Sequence, residues 1–173
     1  NIYGNRSYND ISQYPIFPWL LKKCPNEAFE VILKTELISN KVFMEELIPD
    51  VENQNKIEPG TLKEKFLEYC NDNQQSENYQ TQLLQLYADK LFKLKPKNEV
   101  VNEFTDEIKK YHDALMKIIK NPKSCYNKRA ILEYIEESWL KEPKKYLYSQ
   151  LKEHDKALNE LFKNAIILLQ LLF

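Results

Sequence analysis

Two histidines, His112 and His154, are the side chains best suited to acid–base chemistry near neutral pH. Neither belongs to an HExxH motif or to another spacing typical of metal ligands. His112 precedes Asp113 on a predicted helix, which leaves a general-base role open. A histidine in such a position more commonly packs or faces solvent, and this is the role that we predict for it.

Three cysteines, Cys24, Cys70 and Cys125, are far apart in the sequence and form no CxxC motif. Their odd number and wide spacing predict neither a zinc site nor a disulfide framework. Free thiols in a reducing compartment are the interpretation that fits, with burial as their ordinary environment.

Two pairs of adjacent carboxylates, Glu45–Glu46 and Glu136–Glu137, complete the candidates for chemistry. Neighbouring residues on a helix point about 100° apart, so neither pair converges easily on one substrate. We interpret both pairs as solvated surface. The GxSxG motif is also absent. The sequence therefore predicts no enzyme, no catalytic residue, no cofactor-binding residue and no metal ligand.

The composition excludes several further classes of function. The chain has 173 residues and a net charge of −1, which offers no electrostatic footprint for nucleic acid or anionic lipid. Its only glycines, Gly4 and Gly60, cannot form a GxGxxG or a GxxxxGK[ST] loop. So few glycines also disfavour a β-rich fold built from tight hairpins. Because the first residue is Asn1 and not Met, we expect a piece of a longer protein.

The elements that must position these side chains are helices. Apolar residues recur every three or four positions between polar or proline-containing joints, which predicts about seven or eight helices. Such helices suit either a compact bundle or a stacked array of hairpins, and no fixed repeat period decides between them. The predicted helical segments begin at Pro25, with Asn26 as N-cap, and continue with Val42–Ile48 (ending at Pro49), a helix opening at Thr61, Tyr79–Leu94, residues 99–120, Ile131–Trp139 (stopping before Pro143), Tyr146–Leu151 and a last helix from Asp155.

Residues 1–22 differ from the rest of the chain, which suggests a division into residues 1–22 and 23–173. Pro15 and Pro18 predict an extended or turn-like segment, because proline inside a helix removes a hydrogen bond and clashes with the preceding turn. Its aromatic side chains either fold against their own domain or dock into a partner. For the second case the candidate partner-binding residues are Tyr14, Phe17 and Trp19, since aromatic side chains dominate binding hot spots.

The longest apolar stretch, residues 165–173, has the sequence AIILLQLLF. It is far shorter than the roughly 20 residues that a membrane-spanning helix needs, so we predict a buried helix. If its apolar end is unpaired, we expect the chain to self-associate.

Residues 4–19, with the sequence GNRSYNDISQYPIFPW, resemble the signature segment of BEACH domains. That signature is a Gly-Arg-Ser/Thr-Phe/Tyr-Asn-Asp block followed by Gln-Tyr-Pro-Val-Phe-Pro-Trp. The Asp-Tyr and Leu-Asp-Leu elements that follow in the family are absent after Trp19. The resemblance therefore implies the signature without a complete BEACH domain, in a protein of membrane trafficking.

Residues 42–162 resemble the clathrin-heavy-chain-like helical region of the large vacuolar-protein-sorting subunits of the HOPS and CORVET tethering complexes. The similarity is carried by residues 42–70, by YQTQLLQLYADKLF at 79–92 and by PKKYLYSQLKEHDKALNELF at 143–162. It implies an α-solenoid of stacked antiparallel hairpins that binds Rab GTPases and sister tether subunits. The implied location is the cytoplasm, peripheral on endosomal or vacuolar membranes. The alternative is a compact helical-bundle adaptor or effector without a tethering role.

Overall fold

The fold is all-α wherever the chain is described. The computed structural model describes residues 16–35, 40–73, 76–94 and 105–151, and within these ranges it contains helices and no strand. The predicted all-α class is confirmed. Backbone contacts group the chain into two compact units, Asn1–Gln74 and Gln75–Phe173. The suggested division after residue 22 stays a prediction.

The short helices of the first unit form a closed ring of contacts. Its principal contacts run from α1 to α2, from α2 to α5, from α5 to α4, and from α4 back to α1. Helices that close in this way share one core. The elements are α1 (Ile16–Lys23), α2 (Pro25–Thr35), α3 (Asn40–Val42), a π-helical turn (Phe43–Leu47), α4 (Ile48–Gln54) and α5 (Thr61–Asn73).

Three phenylalanines form the centre of the first unit. Phe29, Phe43 and Phe66 are fully buried. The ring centroids of Phe43 and Phe66 lie 4.9 Å apart, and those of Phe29 and Phe66 lie 5.3 Å apart, in edge-to-face geometry. This geometry brings the positive edge of one ring to the negative face of another. The core therefore joins α2, the π-helical turn and α5.

The expected extended conformation of residues 1–22 is wrong from Ile16 onward. Residues 16–23 form α1, and Pro18 is its third residue. The first four backbone N–H groups of a helix have no intrahelical partner, so a proline there removes no hydrogen bond. Pro25 likewise is the first residue of α2, so Asn26 lies inside that helix and is not its N-cap.

Pro49 does not end a helix as predicted. The backbone stays helical through the π-helical turn and continues to Gln54. Immediately before the proline, the N–H of Ile48 donates to the carbonyl of Phe43, five residues back. In an α-helix, a proline ring would clash with the carbonyl four residues before it. The wider π-helical turn changes the position of the preceding carbonyls relative to the ring.

The N-terminus of α5 is held by a carboxylate from α4. Glu52 is only 3% exposed, and its two oxygens accept hydrogen bonds from the N–H of Gly60 at 2.8 Å and from the N–H of Leu62 at 2.6 Å. An anionic acceptor at a helix N-terminus also interacts favourably with the helix dipole. Gly60 adopts φ +87°, a conformation that favours glycine. Glu52 thus fixes the turn between α4 and α5.

Replacing Glu52 should destabilise the first unit. Glu52→Ala leaves two amide groups without their anionic acceptor, and we expect a loss of about 2 kcal/mol in the free energy of unfolding. Glu46→Ala, an exposed carboxylate of the same unit, should change it by about 0.5 kcal/mol or less. Urea denaturation monitored by circular dichroism measures both variants, and equal effects would contradict the assignment.

The helices of the second unit also form a closed ring of contacts. Its principal contacts run from α6 to α7, from α7 to α9, from α9 to α8, and from α8 back to α6. The compact-bundle alternative predicts such a closed set of contacts within a unit. The solenoid of stacked hairpins stays a prediction. The helices are α6 (Glu77–Lys93), α7 (Asp106–Lys120), α8 (Lys128–Ile135) and α9 (Lys141–Gln150).

Helix α7 lies within the predicted segment 99–120 and has favourable capping and charge at its ends. Thr105 is its N-cap, and the Thr105 side chain accepts a hydrogen bond from the N–H of Ile108. Asp106 and Glu107 occupy its first turn, and lysines occupy its last, in line with the helix dipole. The predicted start at residue 99 and the predicted last helix from Asp155 lie outside the described residues.

The predicted helix Ile131–Trp139 stops before Pro143, as expected, but it ends earlier than predicted. Helix α8 ends at Ile135, and Trp139 lies in the connection to α9. Pro143 is the third residue of α9, where its missing N–H is again harmless. The buried Lys144 amine donates to the carbonyls of Glu136 (3.1 Å) and Ser138 (2.9 Å), which holds the connection against α9.

A tyrosine–aspartate hydrogen bond links α8 to α6. The Tyr134 hydroxyl donates to Asp89 Oδ1 at 2.6 Å, and its ring stacks on Phe92 with centroids 6.1 Å apart. The hydrogen bond to Asp89, with smaller contributions from burial and from the aspartate charge, raises the pKa of Tyr134 to about 12. Ionising the phenol would remove the donor and place two negative charges side by side.

The stability that this pair contributes should depend on pH. Because the folded pKa is raised above the usual value of about 10, the contribution is complete below pH ~10 and is lost as the pH rises toward 12. Asp89→Asn should lower the pKa of Tyr134 toward 10. NMR titration of the tyrosine ring carbons measures this shift, with Tyr134→Phe assigning the signal. An unchanged pKa in the Asp89→Asn variant would contradict the pairing.

Candidate protein-binding surface

The three predicted partner-binding residues have different environments. Phe17 is 5% exposed and belongs to the core of the first unit, whereas Trp19 is 54% exposed. Tyr14 lies outside the described residues. The role assigned to the three stays a prediction, and of the two described residues Trp19 is the one whose side chain is accessible on the surface.

The helical geometry of α1 explains this difference. At 100° per residue, Phe17 and Leu21 point to nearly the same side, and both are buried. Trp19 points to the opposite side. Ile16, three residues before it and 58% exposed, lies on the same outer side. Burial of one stripe of α1 therefore directs an apolar surface outward.

Two lysines extend this outer surface. Lys22 and Lys23 occupy the last turn of α1 and are exposed, three and four residues after Trp19. We call the set Ile16, Trp19, Lys22 and Lys23 the outer α1 face. Sequence reasoning missed three of its four members because it did not predict α1, although their three- and four-residue spacing from Trp19 is the signal that a helix provides.

The candidate general base His112 lies at a helix junction. It is 8% exposed on α7, and its Nε2 is 3.7 Å from Glu142 Oε2 on α9. The Asp113 carboxylate is 3.8 Å from Nδ1, and both separations exceed the range of a hydrogen bond. The Glu142 carboxylate is bound by Lys120, whose Nζ lies 2.9 Å from Oε1. The ion pair between Lys120 and Glu142 links α7 to α9.

The described cysteines show no catalytic environment. Cys70 is buried, and burial raises the pKa of its thiol to about 12, which keeps it protonated. The prediction of buried thiols fails for Cys125, which is exposed, and Cys24 is half-buried. All three are free thiols, and the described ranges contain no cluster of His, Cys, Asp and Glu that could hold a metal ion.

The adjacent carboxylate pairs are surface residues, as predicted. Glu45 and Glu46 are exposed on the π-helical turn, and Glu136 and Glu137 are exposed where α8 ends. His154 lies outside the described residues. Among the helices of the described ranges, none is long and apolar enough to cross a membrane. Within the described ranges, the outer α1 face carries the two most exposed of the large apolar side chains, Trp19 and Ile16.

A comparison with protein-family models finds the Beige/BEACH domain over residues 1–159. The chain belongs to the BEACH family. The match includes residues 4–19, so the resemblance of that segment to the BEACH signature is confirmed, and it continues far beyond Trp19. BEACH domains are of a non-enzymatic, scaffold type, and no catalytic family is indicated.

The BEACH match covers nearly all of the region for which a resemblance to tethering subunits was inferred. That second resemblance, over residues 42–162, is not shown by the comparisons, nor is a clathrin-type repeat. Searches of curated proteins and of solved structures found no match. At the coarse level, BEACH membership supports a scaffold role related to membrane trafficking.

The two aromatic residues of α1 should respond differently to truncation. Phe17→Ala removes a buried ring, and we expect it to lower the free energy of unfolding by about 3 kcal/mol or more. Trp19→Ala should lower it by about 1 kcal/mol or less, because half of the indole already faces solvent. Thermal and urea denaturation measure both. A Trp19→Ala loss as large as that of Phe17→Ala would show that Trp19 is a core residue.

Proposed function

We propose that this BEACH chain is a non-catalytic scaffold of intracellular membrane trafficking that binds protein partners through the outer α1 face. The observation that carries the proposal is the exposed Trp19 beside the exposed Ile16 on a helix whose other side is buried. Tryptophan is enriched in binding hot spots, and half-exposed apolar side chains gain free energy when a partner covers them.

BEACH membership supports a scaffold role related to membrane trafficking. The finer assignment is the peripheral surface of endosomes or vacuoles, with Rab GTPases and tether subunits as partners. It depends on the resemblance of residues 42–162 to tethering subunits. The closed contacts of each unit favour the alternative, a compact adaptor that binds partners without a tethering role. Both functions use a protein-binding surface, and they differ in the partners that bind.

An affinity capture with three baits tests the proposal. The full chain, its Trp19→Ala variant and a Val31→Ala control are immobilised, and bound proteins are quantified by mass spectrometry. Val31 is a suitable control because it is an exposed apolar residue of the same unit, on α2. Loss of a hot-spot tryptophan weakens binding by about 2 kcal/mol or more, which corresponds to roughly thirtyfold in Kd.

We expect Trp19→Ala to lose trafficking proteins that the wild-type and Val31→Ala baits retain. Rab GTPases and tether subunits among the lost proteins support the tethering role, and other trafficking proteins support the adaptor alternative. An identical set of bound proteins on all three baits would show that the outer α1 face does not bind partners.

A further inference from the structure

The outer α1 face combines apolar and cationic side chains in one narrow sector. The directions in which its four side chains point from the helix axis together span about 120°, with Trp19 near the centre and Lys22 and Ile16 at the two edges. Ile16 and Trp19 are both more than half exposed, and Lys22 and Lys23 are exposed as well. The sequence of α1, IFPWLLKK, contains no acidic residue.

The charge of this face is not neutralised within the described part of the chain. Neither Lys22 nor Lys23 forms an ion pair with any described residue. Other lysines do form such pairs: Lys34 contacts Glu30 on α2, and Lys120 contacts Glu142. Cations in the last turn suit the helix dipole, but the dipole does not account for two exposed apolar side chains beside them.

Building on the proposed function, we infer that the outer α1 face binds an acidic segment of a partner protein that also carries apolar side chains. The apolar side chains of that segment cover Ile16 and the Trp19 indole, and its carboxylates pair with Lys22 and Lys23. Exposed cations beside an apolar anchor select anions beside an apolar anchor through charge complementarity.

The dimensions of the face favour a protein segment over a membrane. Helix α1 has eight residues and is about 12 Å long, with two cations. Segments that recognise anionic lipid by charge usually cluster four to eight lysines or arginines. Interfacial helices bury a continuous apolar side, whereas the buried side of α1 already packs on its own unit.

Selection of displayed peptides tests this inference without a known partner. Random peptides displayed on phage are selected on the full chain and, in parallel, on the Lys22→Glu/Lys23→Glu variant. A third selection uses Trp19→Ala. Circular dichroism and thermal denaturation first establish that the variants are folded, which is expected because the substituted side chains are exposed.

We expect peptides selected on the wild-type chain to be enriched in Asp and Glu beside apolar residues. They should bind the double lysine variant on the order of tenfold more weakly, and their binding should weaken as salt is raised. The variant itself should select peptides rich in Lys and Arg. Binding of all these peptides should be lost in Trp19→Ala.

The outcomes separate this inference from the proposed function. Peptides that require Trp19 but show no acidic bias would overturn the inference and leave the protein-binding surface in place. Peptides that bind equally well without Trp19, or no selected peptides at all, would overturn both. The last arm measures binding to vesicles that contain phosphatidylserine. Vesicle binding that requires Trp19, without any selection of acidic peptides, would assign the outer α1 face to membranes.

Discussion

The burial of Phe17 and Leu21 determines the orientation of α1, and the exposed chemistry of this chain depends on that orientation. Both side chains are almost inaccessible to solvent in the first unit. A helix whose buried stripe packs in a core cannot rotate freely. Rotation would expose the buried apolar side chains, at a cost of about 2 kcal/mol for each of them. Trp19 is therefore held outside by the same packing that holds Phe17 inside.

That packing depends in turn on how the first unit closes. The phenylalanine cluster joins α2, the π-helical turn and α5, and Glu52 ties α4 to the start of α5. Contacts from α1 reach both α2 and α4, so α1 rests on elements that the cluster and the carboxylate keep together. A surface presented by a rigid support binds with less loss of conformational entropy than one on a mobile segment.

Sequence reasoning predicted helices well where apolar spacing was the only signal needed. Helices α6 and α7 lie in the predicted segments Tyr79–Leu94 and 99–120, apart from the first two residues of α6, and their apolar residues Leu83, Leu91 and Leu115 are buried. It failed where proline was taken as a helix stop, because the effect of proline depends on its position within a helix. Pro18 is tolerated in the first turn of α1, and the π-helical turn accommodates Pro49.

The outer α1 face was predicted only in part, for a related reason. Trp19 was singled out as an aromatic residue in an unusual context, but its neighbours on the outer face become visible only once α1 is known to be helical. Glu52 gave no local signal, since its partners lie eight and ten residues away. The family was recognised from residues 4–19, while its extent to residue 159 came from comparison with the family model.

Fluorescence quenching of Trp19 tests the central claim most directly. The chain has two tryptophans, so a Trp139→Phe variant leaves Trp19 as the single indole emitter. We expect emission typical of a solvated indole. The ratio of iodide quenching to caesium quenching should fall in the Lys22→Glu/Lys23→Glu variant, because Lys22 and Lys23 attract the anion and repel the cation. Blue-shifted emission that neither ion quenches would show that Trp19 is buried, and the outer α1 face would not exist.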